Sequence, residues 1–322
     1  MNKGLIYLKP QRQWGWEVAV YLYLAGVGVG SFIIGLLMDW LGYSPYSTRA
    51  ILLWGPILVT IGAPFLILDL GIKRRFLNTV LNPKTSWLSR GFFILSMYIV
   101  IGLVIFGISI LPSLGISISN WSSLLLILDV VGFILALATA IYTGILLQSV
   151  KYVSFWNTSL LPVLFTVSAL STGSMAIILS TLGYSILTPS EGYPTQLMDV
   201  LISTEQVLIV IEAIVLGLYL FFRYKAGEEG KGSARLLLSG DLKFVFWIGI
   251  IVSGFFLPII LEAVYSQFQE QHFLLFLNGV FLLIGGFFLR YGVVYAGIKD
   301  QHPLQKLIQT HYNLRTLKEN YG

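Results

Sequence analysis

The feature that most constrains this chain is a series of long apolar runs that follow one another from end to end. Each is about 20 residues long, which is what an α-helix needs to cross the hydrocarbon core of a bilayer. Only 11% of the residues are charged, against about 25% in a soluble domain. The pattern predicts an all-α integral membrane protein of eight transmembrane helices, at Glu17–Met38, Ile51–Leu70, Gly91–Leu111, Leu124–Leu147, Leu160–Leu182, Val200–Phe222, Phe244–Leu261 and Phe273–Ala296.

Positive charge is concentrated on one side of the predicted membrane protein. An even number of spans puts both termini on the same side, and 18 of the 20 lysines and arginines fall in the termini and loops of that side, here called the basic side. The positive-inside rule predicts that this side faces the cytoplasm. No basic and aromatic nucleic-acid module accompanies the charge. The loops of the other side hold Arg49 and the acidic residues Asp39, Glu191, Asp199 and Glu270.

The residues that are missing exclude several kinds of redox centre. The chain has no cysteine, and its three histidines (His272, His302 and His311) all lie outside the predicted spans. Thiolate ligation of an iron–sulfur cluster and axial ligation of a haem b inside a helical bundle are therefore excluded. Any electrons that the protein handles are expected to pass to or from a partner's cofactor, with a diffusible quinone as donor or acceptor.

Two acids and two phenols are predicted to converge near the basic side. Glu17 opens the first span, and Tyr21 follows one turn later on the same face, about 6 Å deeper. Asp69 lies one residue from the end of the second span, and Tyr142 lies five residues from the end of the fourth. Quinone reduction needs proton donors at the carbonyl oxygens, which a tyrosine and a nearby carboxyl group supply. The alternative is that the acids only terminate helices and that the tyrosines belong to the interfacial aromatic belt.

The second half of the sequence also carries ionisable residues inside its spans, where they are costly and often functional. Glu212 lies near the middle of the sixth span and Arg290 in the eighth. They form either a buried ion pair or, with Glu262, steps of a proton path. Asp129, Glu205 and Glu262 are expected near the less basic side, where reaching towards water is the simpler interpretation.

Several segments, taken in order, resemble the NrfD/polysulfide reductase family of membrane subunits. The most specific is the run between the second and third spans, and the others are spread over the whole chain. The first comprises Asp69-Leu70-Gly71, Arg75-Phe76, Asn82-Pro83, Ser86-Trp87 and Ser89-Arg90-Gly91. The others are Trp14-x-Trp16, Tyr21-Leu22-Tyr23-Leu24-Ala25-Gly26, Tyr142-Thr143-Gly144, Phe155-Trp156, Leu160-Leu161-Pro162, Ser168-Ala169-Leu170-Ser171-Thr172-Gly173 and Gly285-Gly286-Phe287-Phe288-Leu289-Arg290-Tyr291.

The resemblance implies two four-helix bundles, residues 1–157 and 158–322, in the plasma membrane of a prokaryote. Family members hold no cofactor of their own and dock on a four-cluster ferredoxin-like iron–sulfur subunit, which is linked to a molybdopterin or multihaem catalytic subunit. The resemblance also implies a pocket for menaquinone or another quinone in the first bundle. Its polar positions map to Glu17, Tyr21, Asp69 and Tyr142. The sequence departs from the family pattern at Tyr21, where polysulfide reductase has histidine, and at Ile72-Lys73, where the family has Arg-Pro.

Two further interpretations remain open at this stage. A proton-coupled secondary transporter or channel without a redox role would explain Glu212, Glu262 and Arg290. A purely structural anchor would leave the convergence of acids and phenols without a purpose. The side of the membrane is open as well, because many family members carry their partners outside, and the basic loops would equally suit docking of an acidic iron–sulfur subunit.

Overall fold

A computed structural model describes residue 11 and residues 13–43, 49–69, 87–117, 121–267 and 272–299. The secondary-structure elements in this part of the protein are all helical, with 3₁₀ turns at Leu111–Leu114 and Pro189–Glu191. The α-helices are α1 (Trp16–Trp40), α2 (Ala50–Leu53), α3 (Gly55–Asp69), α4 (Trp87–Ile110), α5 (Ser122–Gln148), α6 (Leu160–Leu187), α7 (Thr195–Lys225), α8 (Glu228–Leu238), α9 (Leu257–Gln267) and α10 (His272–Tyr295). A π-helical segment, Val245–Phe256, leads directly into α9.

Seven helical segments of the described residues are long and apolar enough to cross a membrane. They correspond to seven of the eight predicted spans, which confirms the multi-pass helical architecture. The remaining predicted span, Ile51–Leu70, is interrupted in the structure: Trp54 separates α2 from α3, and Pro56, which has no N–H to donate, is the second residue of α3. The apolar stretch Ala50–Leu66 is shorter than the other seven, so the count of eight spanning helices stays a prediction.

The segment before α9 is wound more widely than an α-helix. The Ser253 hydroxyl donates to the carbonyl oxygen of Ile248, five residues earlier, at 3.0 Å. Such π-helical winding usually occupies a single turn and is often found at functional sites. Here it runs over 12 residues and faces the polar interior of the second half of the molecule.

The helices α1 and α6 form the interior of the molecule. In their most apolar stretches 78% and 67% of the residues are buried, against 22–39% for the other five long helices. The two helices touch through their backbones, since a Cβ atom on Gly30 would overlap the carbonyl group of Ala169, and one on Gly173 would overlap the backbone at Gly30. Small residues at such positions let membrane helices approach closely. This contact joins the predicted first and second halves.

The less basic end of α1 is closed by a glycine in the left-handed conformation. Gly42 has φ +83°, its N–H donates to the carbonyl oxygen of Asp39, and the N–H of Tyr43 donates to that of Met38. These two bonds form a Schellman motif, which satisfies carbonyl groups that the end of a helix leaves without partners.

At the basic end, a buried tryptophan ties the connection between α5 and α6 to the last helix. Trp156 is fully buried, and its indole Nε1 donates to the carbonyl oxygen of Val293 at 2.8 Å. Gln11, ahead of α1, donates to the neighbouring carbonyl oxygen of Val294 at 3.1 Å. These bonds hold together the N-terminal approach to α1, the α5–α6 connection and α10 at the basic side.

Candidate functional site

Two buried phenols meet near the basic side of the first half. Tyr21 on α1 is fully buried and Tyr142 on α5 is 2% exposed, and the two lie close enough to interact electrostatically. The Tyr142 ring packs on α4 where only glycine fits, since a Cβ atom on Gly91 would overlap the ring and its hydroxyl. Within the described residues, neither hydroxyl has a hydrogen-bond partner. Buried polar groups are nearly always paired, so two orphaned hydroxyls at one place point to a ligand.

Of the two acids predicted for this site, the structure describes the side chain of Glu17 but not that of Asp69. Glu17, in the first turn of α1, is partly exposed and lies beside Tyr295 of α10, which also contacts the backbone of Trp16. Asp69 ends α3, but its side chain and residues 70–86, including most of the family motif after it, lie outside the described residues. The structure therefore brings Tyr21 and Tyr142 together and puts Glu17 at the same end of α1.

Arg290 is the most deeply buried cation of the described residues, with 1% of its surface exposed. Its Nε donates to the carbonyl oxygen of Leu22 on α1 at 3.2 Å, and its Nη1 donates to Ser168 Oγ on α6 at 2.9 Å and to the carbonyl oxygen of Gly286 at 2.8 Å. Its Nη2 has no partner in the part of the protein that is described. The guanidinium thus links α1, α6 and α10. Its contact on α1 is Leu22, the residue after Tyr21.

Glu212 and Arg290 are neighbours without forming a direct ion pair. No carboxylate of the described residues lies within 4.0 Å of the Arg290 guanidinium. The ion pairs found among these residues are those of Arg49. Ser168 stands between the two groups, with its hydroxyl beside the Glu212 carboxylate and bonded to Arg290. Ser171 also faces the carboxylate, although its hydroxyl does not meet the geometry of a hydrogen bond. The link is therefore a polar relay rather than a salt bridge.

A small cavity lies beside Glu212, between α6, α7, the π segment and α10. Its walls include Thr172, Gly254, Gly285 and Leu289, and it has room for about one water molecule. The cavity exists partly because Gly254 and Gly285 bring two helices together without side chains. Glu212 and Thr172 are the polar residues among its walls, and the Thr172 hydroxyl donates to the carbonyl oxygen of Ser168 at 2.7 Å.

Two more buried acids lie in the second half, one on α7 nearer its start than Glu212 and one on α9. Glu205 is fully buried and Glu262 on α9 is 4% exposed, and the two acids are close enough to interact electrostatically, although neither oxygen of Glu205 has a hydrogen-bond partner among the described residues. Asn278 on α10 is 1% exposed, and its Nδ2 donates to Glu262 Oε1 at 3.1 Å. The expectation that Glu205 and Glu262 reach towards water was wrong, because α7 begins at Thr195 and α9 continues to Gln267, which puts both acids well inside their helices.

Asp129 lies at the less basic side, as the sequence predicted, but it is buried in an ion pair instead of reaching towards water. It is 3% exposed, and its Oδ2 accepts a hydrogen bond from Arg49 Nη2 at 2.8 Å. The same nitrogen lies 2.8 Å from Asp39 Oδ2 at the end of α1. Arg49 therefore clamps α1 and α5 together at the less basic side, which is the opposite end of the first half from Tyr21 and Tyr142.

Sequence reasoning missed three polar residues that the structure puts in these arrangements. Ser168 bridges Arg290 and Glu212, Asn278 holds Glu262, and Tyr98 on α4 is a third fully buried phenol whose hydroxyl has no partner among the described residues. Ser168 was quoted only as part of a family segment. An asparagine inside an apolar run is the signal that would have identified Asn278, because a buried amide needs partners.

Comparison with known proteins identifies the family. The protein is 28% identical to the C component of polysulfide reductase from Wolinella succinogenes over 308 residues, which cover 88% of this sequence and 94% of that protein. It is 27% identical to protein NrfD of Escherichia coli over 307 residues, with 88% and 94% covered. The C component of selenate reductase from Mesobacillus selenatarsenatis is 23% identical over 314 residues, with 86% and 72% covered. The model of the polysulphide reductase NrfD family matches residues 5–300, and the protein therefore belongs to this family, as its motifs predicted.

Proposed function

We propose that this protein is the quinone-binding membrane subunit of a respiratory oxidoreductase complex. The observation that carries the proposal is the pair of buried, unpartnered hydroxyls of Tyr21 and Tyr142, neither of which has a partner in the described residues. The family relationship supports the role of a membrane subunit, since relatives are named as components of polysulfide and selenate reductases.

The residues at this site fit a quinone. A bound quinone would accept two electrons and two protons, or as quinol release them. Its carbonyl oxygens accept hydrogen bonds, and Tyr21 and Tyr142 each offer an O–H that has no other acceptor in the described residues. Burial of both rings keeps bulk water from these hydrogen bonds. Glu17, near the start of α1, and Asp69, at the end of α3, would supply or remove protons at the phenols from the basic side. Menaquinone is the quinone we favour.

Electrons would reach the site from outside this protein. The sequence has no cysteine and three histidines, so it has no thiolate set for an iron–sulfur cluster. We propose a four-cluster ferredoxin-like iron–sulfur subunit as the partner at the basic side, and a molybdopterin or multihaem catalytic subunit beyond it. In this arrangement α2 and α3 together form the second of eight spans, and the protein folds as two four-helix bundles in a prokaryotic plasma membrane.

A proton path through the second half accompanies this redox role in our proposal. Glu212, Ser168 and Arg290 form a buried polar relay from the middle of α7 to the backbone of α1 at Leu22. The water-sized cavity beside Glu212 would extend it. Glu205 is on the same helix as Glu212, and Glu262 on α9 is close to Glu205. These two acids would continue the path beyond Glu212.

The quinone site is tested by removing a single oxygen. Tyr142→Phe keeps the ring on Gly91 and removes the donor, so the native complex should assemble while quinone-linked turnover falls roughly 10²-fold, the scale of a lost proton donor. Tyr152→Phe is the matched control, because Tyr152 is 46% exposed and donates only to Gln13 at the surface. Turnover by Tyr142→Phe equal to that of the control would refute the assignment.

A second candidate function, proton-coupled transport without a redox role, is favoured by the buried acids of the second half. It predicts pH-driven proton movement in proteoliposomes that contain this protein alone, without iron–sulfur or catalytic partners. The proposed redox role predicts that proton movement needs the complete complex and turnover of a quinone.

A further inference from the structure

The last turn of α7 lies at the level of the lipid headgroups on the basic side. The helix has 31 residues and is therefore about 46 Å long, whereas a bilayer measures about 30 Å across its hydrocarbon core and about 40–45 Å with its headgroups. One face of α7 is exposed along its length and carries apolar residues at helical spacing, namely Val207, Val210, Ile214, Leu218 and Phe221. Lys225 follows one turn after Phe221. The face that lipid covers therefore ends in a cation at headgroup depth.

The short helix α8 is fixed against this end of α7. Gly227 turns the chain between the two helices with φ +106°, and a Cβ atom on Gly230 would lie 2.7 Å from the carbonyl oxygen of Arg223. The far end of α8 is held by Trp247, whose Nε1 donates to the carbonyl oxygen of Leu238 at 3.0 Å. The side chains of α8 consequently have a set position relative to the last turn of α7.

Three cations lie on two aromatic rings where these helices meet. The Nζ atom of Lys225 is 4.1 Å from the centroid of the Phe221 ring. The Nζ atom of Lys231 and the Cζ atom of Arg235 are 5.6 Å and 5.9 Å from the centroid of the Tyr224 ring. Both rings are exposed on the outside of α7. Such contacts with the face of a ring hold a cation in place without neutralising its charge.

The positive charge of this cluster is not balanced by nearby acids. No carboxylate of the described residues lies within 4.0 Å of Lys225, Lys231 or Arg235. Glu228 shares a face of α8 with the last two by its spacing, but it lies in the first turn, where the helix dipole already favours a negative charge. Three cations and one acid leave a net charge of +2. An anion is therefore needed at this place.

We propose that Lys225, Lys231 and Arg235 bind the headgroup of an anionic phospholipid. The phosphate would lie among the three cations, and the acyl chains would lie along the exposed apolar face of α7. Cations just beyond the end of a spanning helix attract anionic lipids. The rings of Phe221 and Tyr224 continue the lipid-facing surface, so the occupant has to offer apolar chains next to its anionic group. A phospholipid does this, whereas the surface of a soluble partner subunit does not.

Native mass spectrometry of the detergent-solubilised full-length protein, titrated with phosphatidylglycerol, tests the site without any redox partner. We expect one phosphatidylglycerol to bind more tightly than phosphatidylcholine, which has no net charge. Lys231→Gln and Arg235→Gln should each weaken this binding about five-fold, the usual effect of one cation near a membrane surface. Lys151→Gln is the matched control, since Lys151 is an exposed lysine of the α5–α6 connection on the same side, and it should bind phosphatidylglycerol like the unsubstituted protein.

Four outcomes would overturn the inference. The unsubstituted protein binds the two lipids equally, which is informative whatever the variants do. The variants of Lys231 and Arg235 bind phosphatidylglycerol as tightly as the Lys151 control. Inorganic phosphate displaces the lipid at millimolar concentration, which would make the cluster a site for free phosphate. Lys231→Gln loses the partner subunits of the native complex while its lipid binding is unchanged, which would make the cluster a docking surface for a protein.

Discussion

The close approach of α1 and α6 predicts a large penalty for one added methyl group. A Cβ atom on Gly30 would overlap the carbonyl group of Ala169 in the facing helix. The obstacle is backbone, so no side-chain rotation relieves it. The two helices would have to separate, and they are the two most buried of the long helices among the described residues.

The magnitude follows from two opposing effects. Overpacking a close-packed interior costs about 1–3 kcal/mol, and the value at Gly30 should lie at the upper end because backbone meets backbone. Alanine has a higher helix propensity than glycine by at most about 1 kcal/mol. Gly183→Ala in α6 isolates this second effect, since no heavy atom lies within 4 Å of its added Cβ. Because both variants gain the same helix propensity, that effect cancels in the comparison, and we expect their free energies of unfolding to differ by the overpacking cost alone, about 2–3 kcal/mol.

Thermal unfolding in a mild detergent, followed by the exposure of buried tryptophan, measures the difference. Gly30→Ala should unfold at a clearly lower temperature than the unsubstituted protein, while Gly183→Ala unfolds at the same or a slightly higher temperature. Gly173→Ala, which adds its methyl group from the other side of the same contact, should resemble Gly30→Ala. If Gly30→Ala and Gly183→Ala unfold together, backbone contact does not hold these helices, and the reasoning fails.

Three further variants test the polar interior. Glu212→Gln keeps the shape of the side chain and removes its charge, so it should lower the number of protons moved per electron in proteoliposomes of the complex; an unchanged ratio would exclude Glu212 from the path. Gly26→Ala puts a methyl group 2.5 Å from Arg290 Nη2, displaces the guanidinium and should lower the same ratio. Asp129→Ala leaves Arg49 with one carboxylate instead of two and should lower the free energy of unfolding by about 1–3 kcal/mol, measured by thermal unfolding.

Hydropathy alone predicted most of the architecture, because lipid requires each spanning segment to satisfy its own backbone hydrogen bonds. It did not predict where helices are interrupted or widened. The run Ile51–Leu70 is apolar throughout most of its length, yet it is divided at Trp54, ahead of Pro56. The π winding of Val245–Phe256 has no hydropathy signature, since it changes the hydrogen-bond partners and not the composition.

The polar residues were harder to place, because the depth of a residue depends on where its helix begins. The apolar run that starts at Val200 put Glu205 near the membrane surface. The helix begins five residues earlier, at Thr195, so Glu205 lies in its third turn. Facing partners on other helices, such as Asn278 for Glu262, are long-range contacts that no local pattern encodes. Tyr21 and Tyr142 were paired correctly in depth because α1 begins and α5 ends at the same side.

The contact between Gly30 and Gly173 also has a consequence for the order in which the helices pack during synthesis. Membrane helices are inserted in the order of synthesis, and at about 5–20 residues per second the segment around Gly173 follows that around Gly30 on the order of ten seconds later. During this interval the small-residue face of α1 has no α6 to pack on, and it is open to lipid or to an insertion chaperone. Arg290 is made later still, so the carbonyl oxygen of Leu22 remains without this partner for longer than the interval between α1 and α6. Of the described helices, α1 is made before the others and is among the last to reach its final environment.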